Sequence, residues 1–170
     1  SKKSENISID KYIDNFSGIL EKYQNKEYSK IFLYNVKKVI EKENLIKKSE
    51  KELPLSRKVA LTLFRAMRYK DEYEVARLHT SGDFAQTFLN ENKNAKLEYY
   101  LAPPLFSKKD PDTGHLLKRR FGHSVYKIFK ILSYFKFLRG TKLDIFGYTL
   151  ERKKERALAQ KTITTINKIS

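Results

Sequence analysis

Over most of its length the chain repeats apolar residues at helical spacing, and that period restricts it to a mainly helical fold. Ile9, Tyr12, Ile13, Phe16, Ile19, Leu20 and Tyr23 form one stripe, and Tyr28, Ile31, Phe32, Val36, Val39 and Ile40 form a second. Only Gln24, Asn25 and Lys26 separate the two stripes, so the spacing predicts an N-terminal helical hairpin within residues 1–50. A charged connector then leads to Pro54, a residue suited to a helix first turn.

From Leu55 to about Leu78 the positions Val59, Ala60, Leu63, Phe64, Met67, Val75 and Leu78 fit a single stripe with no Pro or Gly inside it. The pattern predicts one continuous helix, the longest in the chain. Ser81-Gly82-Asp83 stops it, and Asp83 is placed to cap a short helix carrying Phe84, Phe88 and Leu89. KLEYYLAPPLF reads as a strand over 96–102 that ends at Pro103-Pro104, and a Pro-Asp-Thr-Gly turn follows between two short extended arms. Val125, Ile128, Phe129, Ile131, Leu132, Phe135 and Leu138 cover more than half of a helix circumference, which predicts a helix central to the core. Thr149 caps a last helix with Glu151 in its first turn. The expected fold is mainly α with a minor β part: about six helices and a small strand or hairpin between residues 96 and 123, in one domain over 1–170.

The 170 residues carry a net charge of +16, which raises the possibility of nucleic-acid binding. The excess is mostly lysine, 27 against 9 arginines, spread along a chain rich in Asn and Ile, a pattern that coding bias also produces. There is no Cys, so no disulfide, thiolate-held zinc, iron–sulfur cluster or thiol nucleophile can come from this chain. No apolar run approaches the ~20 residues that cross a bilayer, and SKKSENISIDKY lacks the apolar core of a signal peptide. A cytoplasmic address is the expectation, and a chain that begins at Ser1 suggests a piece of something longer.

Catalytic motifs are weak. Asp112-Thr113-Gly114 spells the aspartic-protease triplet, but that chemistry needs a second carboxylate to share a proton, so a turn is the better reading. Pro111 and the lack of a suitably spaced Glu argue against a calcium loop at Asp110 and Asp112. His79, His115 and His123 do not share the spacing of a metal-binding helix, so no metal site and no catalytic residue is expected. Lys118, Arg119 and Arg120, near Tyr99, Tyr100 and Phe121, make the densest basic cluster. They are candidates for an anion or domain contact, against the plainer reading of a solvated hairpin.

The sharpest feature is Lys70-Asp71-Glu72-Tyr73-Glu74. On a continuous helix stepping ~100° per residue, Asp71 and Glu74 fall within about 60° of Ala60, on the apolar face, while Lys70 and Arg77 flank it. A carboxylate facing a core must be paired, because an unpaired buried charge costs several kcal/mol. Arg139, in the LRGT turn, and Arg119 or Arg120 are the candidate partners of these two carboxylates, and Arg77 beside the same face is a further one. The alternative is a kink near Tyr69 that lets the acids reach solvent.

YKDEYEVARL at 69–78, LAPPLF at 101–106, the pieces between Asp110 and Gly122, LRGT at 138–141 and FGYTLERKKER at 146–156 occur in one order. Together they resemble the C-terminal segment of the large fused indolepyruvate ferredoxin oxidoreductases. Such enzymes decarboxylate 2-oxo acids on thiamine diphosphate, pass electrons through iron–sulfur clusters to ferredoxin, and form the acyl-CoA. The resemblance implies an accessory segment that is not itself catalytic. It would hold no cofactor, and would dock on the enzyme's catalytic domains through the face bearing KDEYEVARL, LAPP and LRGT. It departs from the family pattern at Arg68, His79, Tyr100, His123-Ser124 and Ile145. Lys70, Asp71, Glu72, Glu74, Arg77 and Arg139 are then structural or interface residues. A free-standing basic module that binds nucleic acid is the alternative.

Overall fold

A computed structural model of the chain describes residues 7–46, 53–92, 98–101, 107–108, 110–115, 117–122 and 124–169. Among them are seven α-helices and one two-stranded antiparallel ribbon. The helices are α1 (Ile9–Tyr23), α2 (Lys26–Ile46), α3 (Pro54–Met67), α4 (Glu72–Thr80), α5 (Asp83–Glu91), α6 (Ser124–Tyr134) and α7 (Leu150–Ile169). The strands are β1 (Tyr99–Leu101) and β2 (Arg119–Phe121), and a single 3-10 turn, Phe135–Leu138, follows α6. The expected strand positions 96, 97 and 102, the remainder of LAPPLF, and His123 lie outside the described residues.

The chain folds as two compact units, Ser1–Asp71 with Lys136–Ser170, and Glu72–Phe135. In the first, α1 packs on α2 and α3, α2 on α3 and α7, and α3 on α7. Its core joins Ile13, Leu20, Phe32, Val36, Leu63 and Met67 to Ala159 and Ile166 of α7, and Phe16 stacks on Phe64 with ring centroids 4.2 Å apart. The helical stripes of the first fifty residues are the surfaces that meet here. Local caps agree with that reading: the Ser8 hydroxyl accepts from Lys11 N–H at the start of α1, Asn25 Oδ1 from Tyr28 N–H at the start of α2, and Thr149 Oγ1 from Arg152 N–H at the start of α7.

In the second unit α4 packs on α6 and α5. A smaller core collects Ala76, Tyr99, Val125 and Phe129. The ribbon pairs Tyr99 with Phe121, Tyr100 with Arg120 and Leu101 with Arg119, so Tyr99 faces the core while Tyr100 and Arg120 share the solvent side. Asp112-Thr113-Gly114 lies in the intervening turn. Asp110 Oδ1 accepts the N–H groups of Asp112 and Thr113, which holds its carboxyl below the ordinary range, and Gly114 takes the left-handed φ of 68°.

Four expectations are corrected. The helix predicted over 55–78 is two helices, because Arg68 leaves helical geometry at φ −110° and ψ 76°, and this division makes seven helices of the expected six. The longest helix is α2, with 21 residues. Gly82, not Asp83, occupies the cap position of α5; a Cβ there would stand 2.7 Å from the Leu78 carbonyl oxygen, so the chain needs a glycine where α4 and α5 meet. Finally, α6 is not central. Val125 and Phe129 are buried, but Ile128, Ile131 and Tyr134 are 59, 61 and 69% exposed, because α4 and the ribbon cover one side of the helix.

Candidate functional site

Tyr23 ends α1 and exposes a main-chain carbonyl that the helix itself cannot satisfy. Arg139 meets it. The guanidinium donates from Nη1 to the Tyr23 oxygen at 2.7 Å and lies over the Tyr23 ring, 3.6 Å from its centroid. Its other edge makes a two-point contact with Asp71, Nε to Oδ2 at 2.5 Å and Nη2 to Oδ1 at 2.8 Å. Both residues are buried, Arg139 at 4% and Asp71 at 3% exposure. Burial alone would favour a neutral guanidine, but the Asp71 hydrogen bonds and the attraction of neighbouring acidic groups reverse this and hold the Arg139 pKa above its ordinary value.

The break after α3 is part of the same construction. Tyr28 Oη donates to the Met67 carbonyl at 2.8 Å and Tyr23 Oη to the Tyr69 carbonyl at 3.0 Å, so two phenols stand in for the helical N–H donors of Asp71 and Tyr73 that a continuous helix would bring to these oxygens. Burial pushes the phenols of Tyr23, Tyr28 and Tyr69 above their ordinary value; Asp71 adds to the shift and Arg139 opposes it.

The loop after Arg139 is organised by Asp144, which is 3% exposed. Its carboxylate accepts from Gly140 N–H at 2.8 Å and Gly147 N–H at 3.0 Å, and Arg156 Nη1 stands 3.9 Å away. Arg156 Nη2 donates to the Gly147 carbonyl at 2.5 Å. Gly140 adopts φ 78°, and a Cβ on Gly147 would collide with the Asp144 carboxylate and Arg156. The buried Asp71–Arg139 pair and the Asp144 cluster of Gly140, Gly147 and Arg156 are thus two polar arrangements that adjoin through the Arg139–Gly140 peptide bond.

Glu74 is 2% exposed and belongs to the second unit. Arg77, one helical turn on, donates from Nε to Oε2 at 2.8 Å and from Nη2 to Oε1 at 2.9 Å. Glu72 opens α4, half-buried in the acidic first turn that the helix dipole favours, and Lys70 is exposed. Lys118, Arg119 and Arg120 are exposed on the ribbon, where Arg120 lies 3.5 Å from Glu98. A surface ion pair of that kind is worth ~0–1 kcal/mol. The structure thus unites Asp71 with Arg139 and Glu74 with Arg77 within their respective units. His79 stacks on Phe129 and meets Tyr99 edge-on, at centroid distances of 5.5 and 5.4 Å.

Sequence reasoning missed Glu43, Asp144 and Arg156. Glu43, buried in α2 at 4% exposure, accepts from Leu55 N–H, Ser56 N–H and Ser56 Oγ at 3.0, 2.7 and 2.6 Å, which caps α3 from another helix. The signal was negative: Leu53, the residue before Pro54, has no side-chain oxygen to cap with. For Asp144 the signal was its position between Gly140 and Gly147, two glycines that free main-chain N–H groups for one acid.

Among the described residues no group of three His, Asp or Glu is placed to hold a metal ion, and no helix is long and apolar enough to cross a membrane. Fold and site together define a mainly helical protein whose buried carboxylates Asp71 and Glu74 are each matched by an arginine. The chain belongs to DUF6537, a family of unknown function whose model matches residues 10–170. Neither a curated protein nor a solved structure matches the chain.

Proposed function

We propose that this chain is an accessory, docking domain of a thiamine-diphosphate- and iron–sulfur-dependent indolepyruvate ferredoxin oxidoreductase. That enzyme oxidatively decarboxylates arylpyruvates to acyl-CoA with ferredoxin as electron acceptor. The cofactors and the chemistry reside in the catalytic domains, and this segment contributes to their assembly. One observation carries the reading: three of the sequence blocks that resemble the family, YKDEYEVARL, LRGT and FGYTLERKKER, supply the Asp71–Arg139 pair and the Gly140, Gly147 and Arg156 groups gathered around Asp144. Residues used this way shape a surface and do not react.

Asp71, Glu74 and Arg139 are buried, so contact with the catalytic domains falls to exposed neighbours of the motifs. Removing the segment from the full enzyme and assaying arylpyruvate, CoA and a viologen acceptor tests the proposal. Loss of assembly or of most of the activity is the expected outcome, and an unchanged enzyme refutes it. The solvent side of the ribbon, where exposed Tyr100 pairs with Arg120 beside Lys118, supports nucleic-acid binding as the second reading. Its mark would be oligonucleotide affinity that falls steeply with salt.

A further inference from the structure

The loop from Lys142 to Thr149 is held from within by polar contacts and, with Leu150 at the start of α7, presents most of its large apolar side chains to water. Asp144 accepts from Gly140 and Gly147, Thr141 Oγ1 donates to the Leu138 carbonyl and accepts from Leu143 N–H, and Tyr148 Oη donates to the Lys142 carbonyl at 2.7 Å. Yet Leu143, Ile145, Tyr148 and Leu150 are 70, 63, 60 and 67% exposed. Surface loops ordinarily expose polar residues, and four large apolar side chains within eight positions form a contiguous-in-sequence apolar display. Rigidity matters as much as exposure, because a segment already ordered before association loses less entropy on binding, and apolar or aromatic anchors on it contribute most.

Charge indicates what fits there. Lys142 in the loop and Lys153 and Lys154 early in α7 are exposed, and Glu151 is the one exposed carboxylate among residues 142–154. We propose that this loop is the docking surface for an apolar, carboxylate-rimmed patch on the catalytic polypeptide of the same oxidoreductase. The identity of that partner rests on the function proposed above; the surface itself rests on the loop geometry. The apolar side chains supply burial, and the three lysines supply orientation and rate.

Calorimetric titration of the 170-residue chain against the catalytic polypeptide, loaded with thiamine diphosphate and its clusters, provides the test. Leu143→Ser with Ile145→Ser is expected to weaken binding by about tenfold or more, as loss of anchor residues does. The thermal midpoint should hold, because both side chains lie in solvent. Lys153→Glu with Lys154→Glu, on the exposed face of α7, is a second variant independent of the loop's folding. It should also weaken binding, and wild-type affinity should fall between about 0.05 and 0.3 M salt. Unchanged affinity in both variants overturns this surface while leaving an accessory role intact. No binding by the wild-type chain overturns both proposals. Variant-sensitive self-association, or variant-sensitive binding to vesicles with about 30% phosphatidylserine, in place of binding to the catalytic polypeptide overturns the partner assigned here.

Discussion

Arg139 does three jobs with one guanidinium: it caps α1, lies over the Tyr23 ring and neutralises Asp71. A buried pair of this sort need not add net stability, but leaving one partner alone is costly. Asp71→Asn should therefore lower the unfolding free energy by about 3–5 kcal/mol, as read from urea denaturation. Arg139→Met combined with Asp71→Leu should recover a substantial part of that loss, since neither desolvated charge remains. A double variant no better than the single one would show that Arg139 acts chiefly through the Tyr23 carbonyl. The need of Asp71 for a cation was legible because a carboxylate among core residues must be paired. The backbone that places it was not, since the helical projection assumed a continuity through Tyr69 that the chain does not have.

At the scale of elements, the helices form where local periodicity and caps say they should, and they fail where a distant group competes. The link from Arg68 to Asp71 has no helix-breaking residue; Tyr28 and Tyr23 reward the break by reaching the Met67 and Tyr69 carbonyls. The start of α3 depends likewise on Glu43, which receives three hydrogen bonds from the next helix. Glu43→Ala should cost about 1–3 kcal/mol by orphaning buried donors, measured as a lowered thermal midpoint, with Glu43→Gln milder because one acceptor oxygen remains. Equal losses for the two variants would mean that charge, not hydrogen bonding, secures the helix start. In α6 the apolar stripe was visible, but its width did not reveal how much of it neighbours would cover; Ile128, Ile131 and Tyr134 stay in solvent.

Across the whole molecule the tyrosines set an alkaline limit. Tyr23, Tyr28 and Tyr69 are held above the ordinary phenol value by burial, so above pH ~10 the unfolded chain gives up protons that the folded chain keeps. Their contribution is complete below that pH and declines as pH rises, by up to about 1.4 kcal/mol per pH unit for each phenol. Urea midpoints followed from about pH 9 to 11.5 should fall, and Tyr28→Phe should flatten the decline. An unchanged slope in that variant would remove Tyr28 from the account. Sequence alone determined the helical class, the first two helices, the capped last helix and the turn at Pro-Asp-Thr-Gly, because periodicity, capping and turn chemistry act over a few neighbouring residues. Only tertiary structure decided where α3 ends, that Arg139 rather than Arg119 or Arg120 meets Asp71, and that Glu43 and Asp144 are buried. The end of α3 and the Asp71–Arg139 pair depend on polar groups meeting across 39–68 residues, whereas Glu43 and Asp144 find partners nearer in sequence but are buried by the packing around them, which no local pattern records.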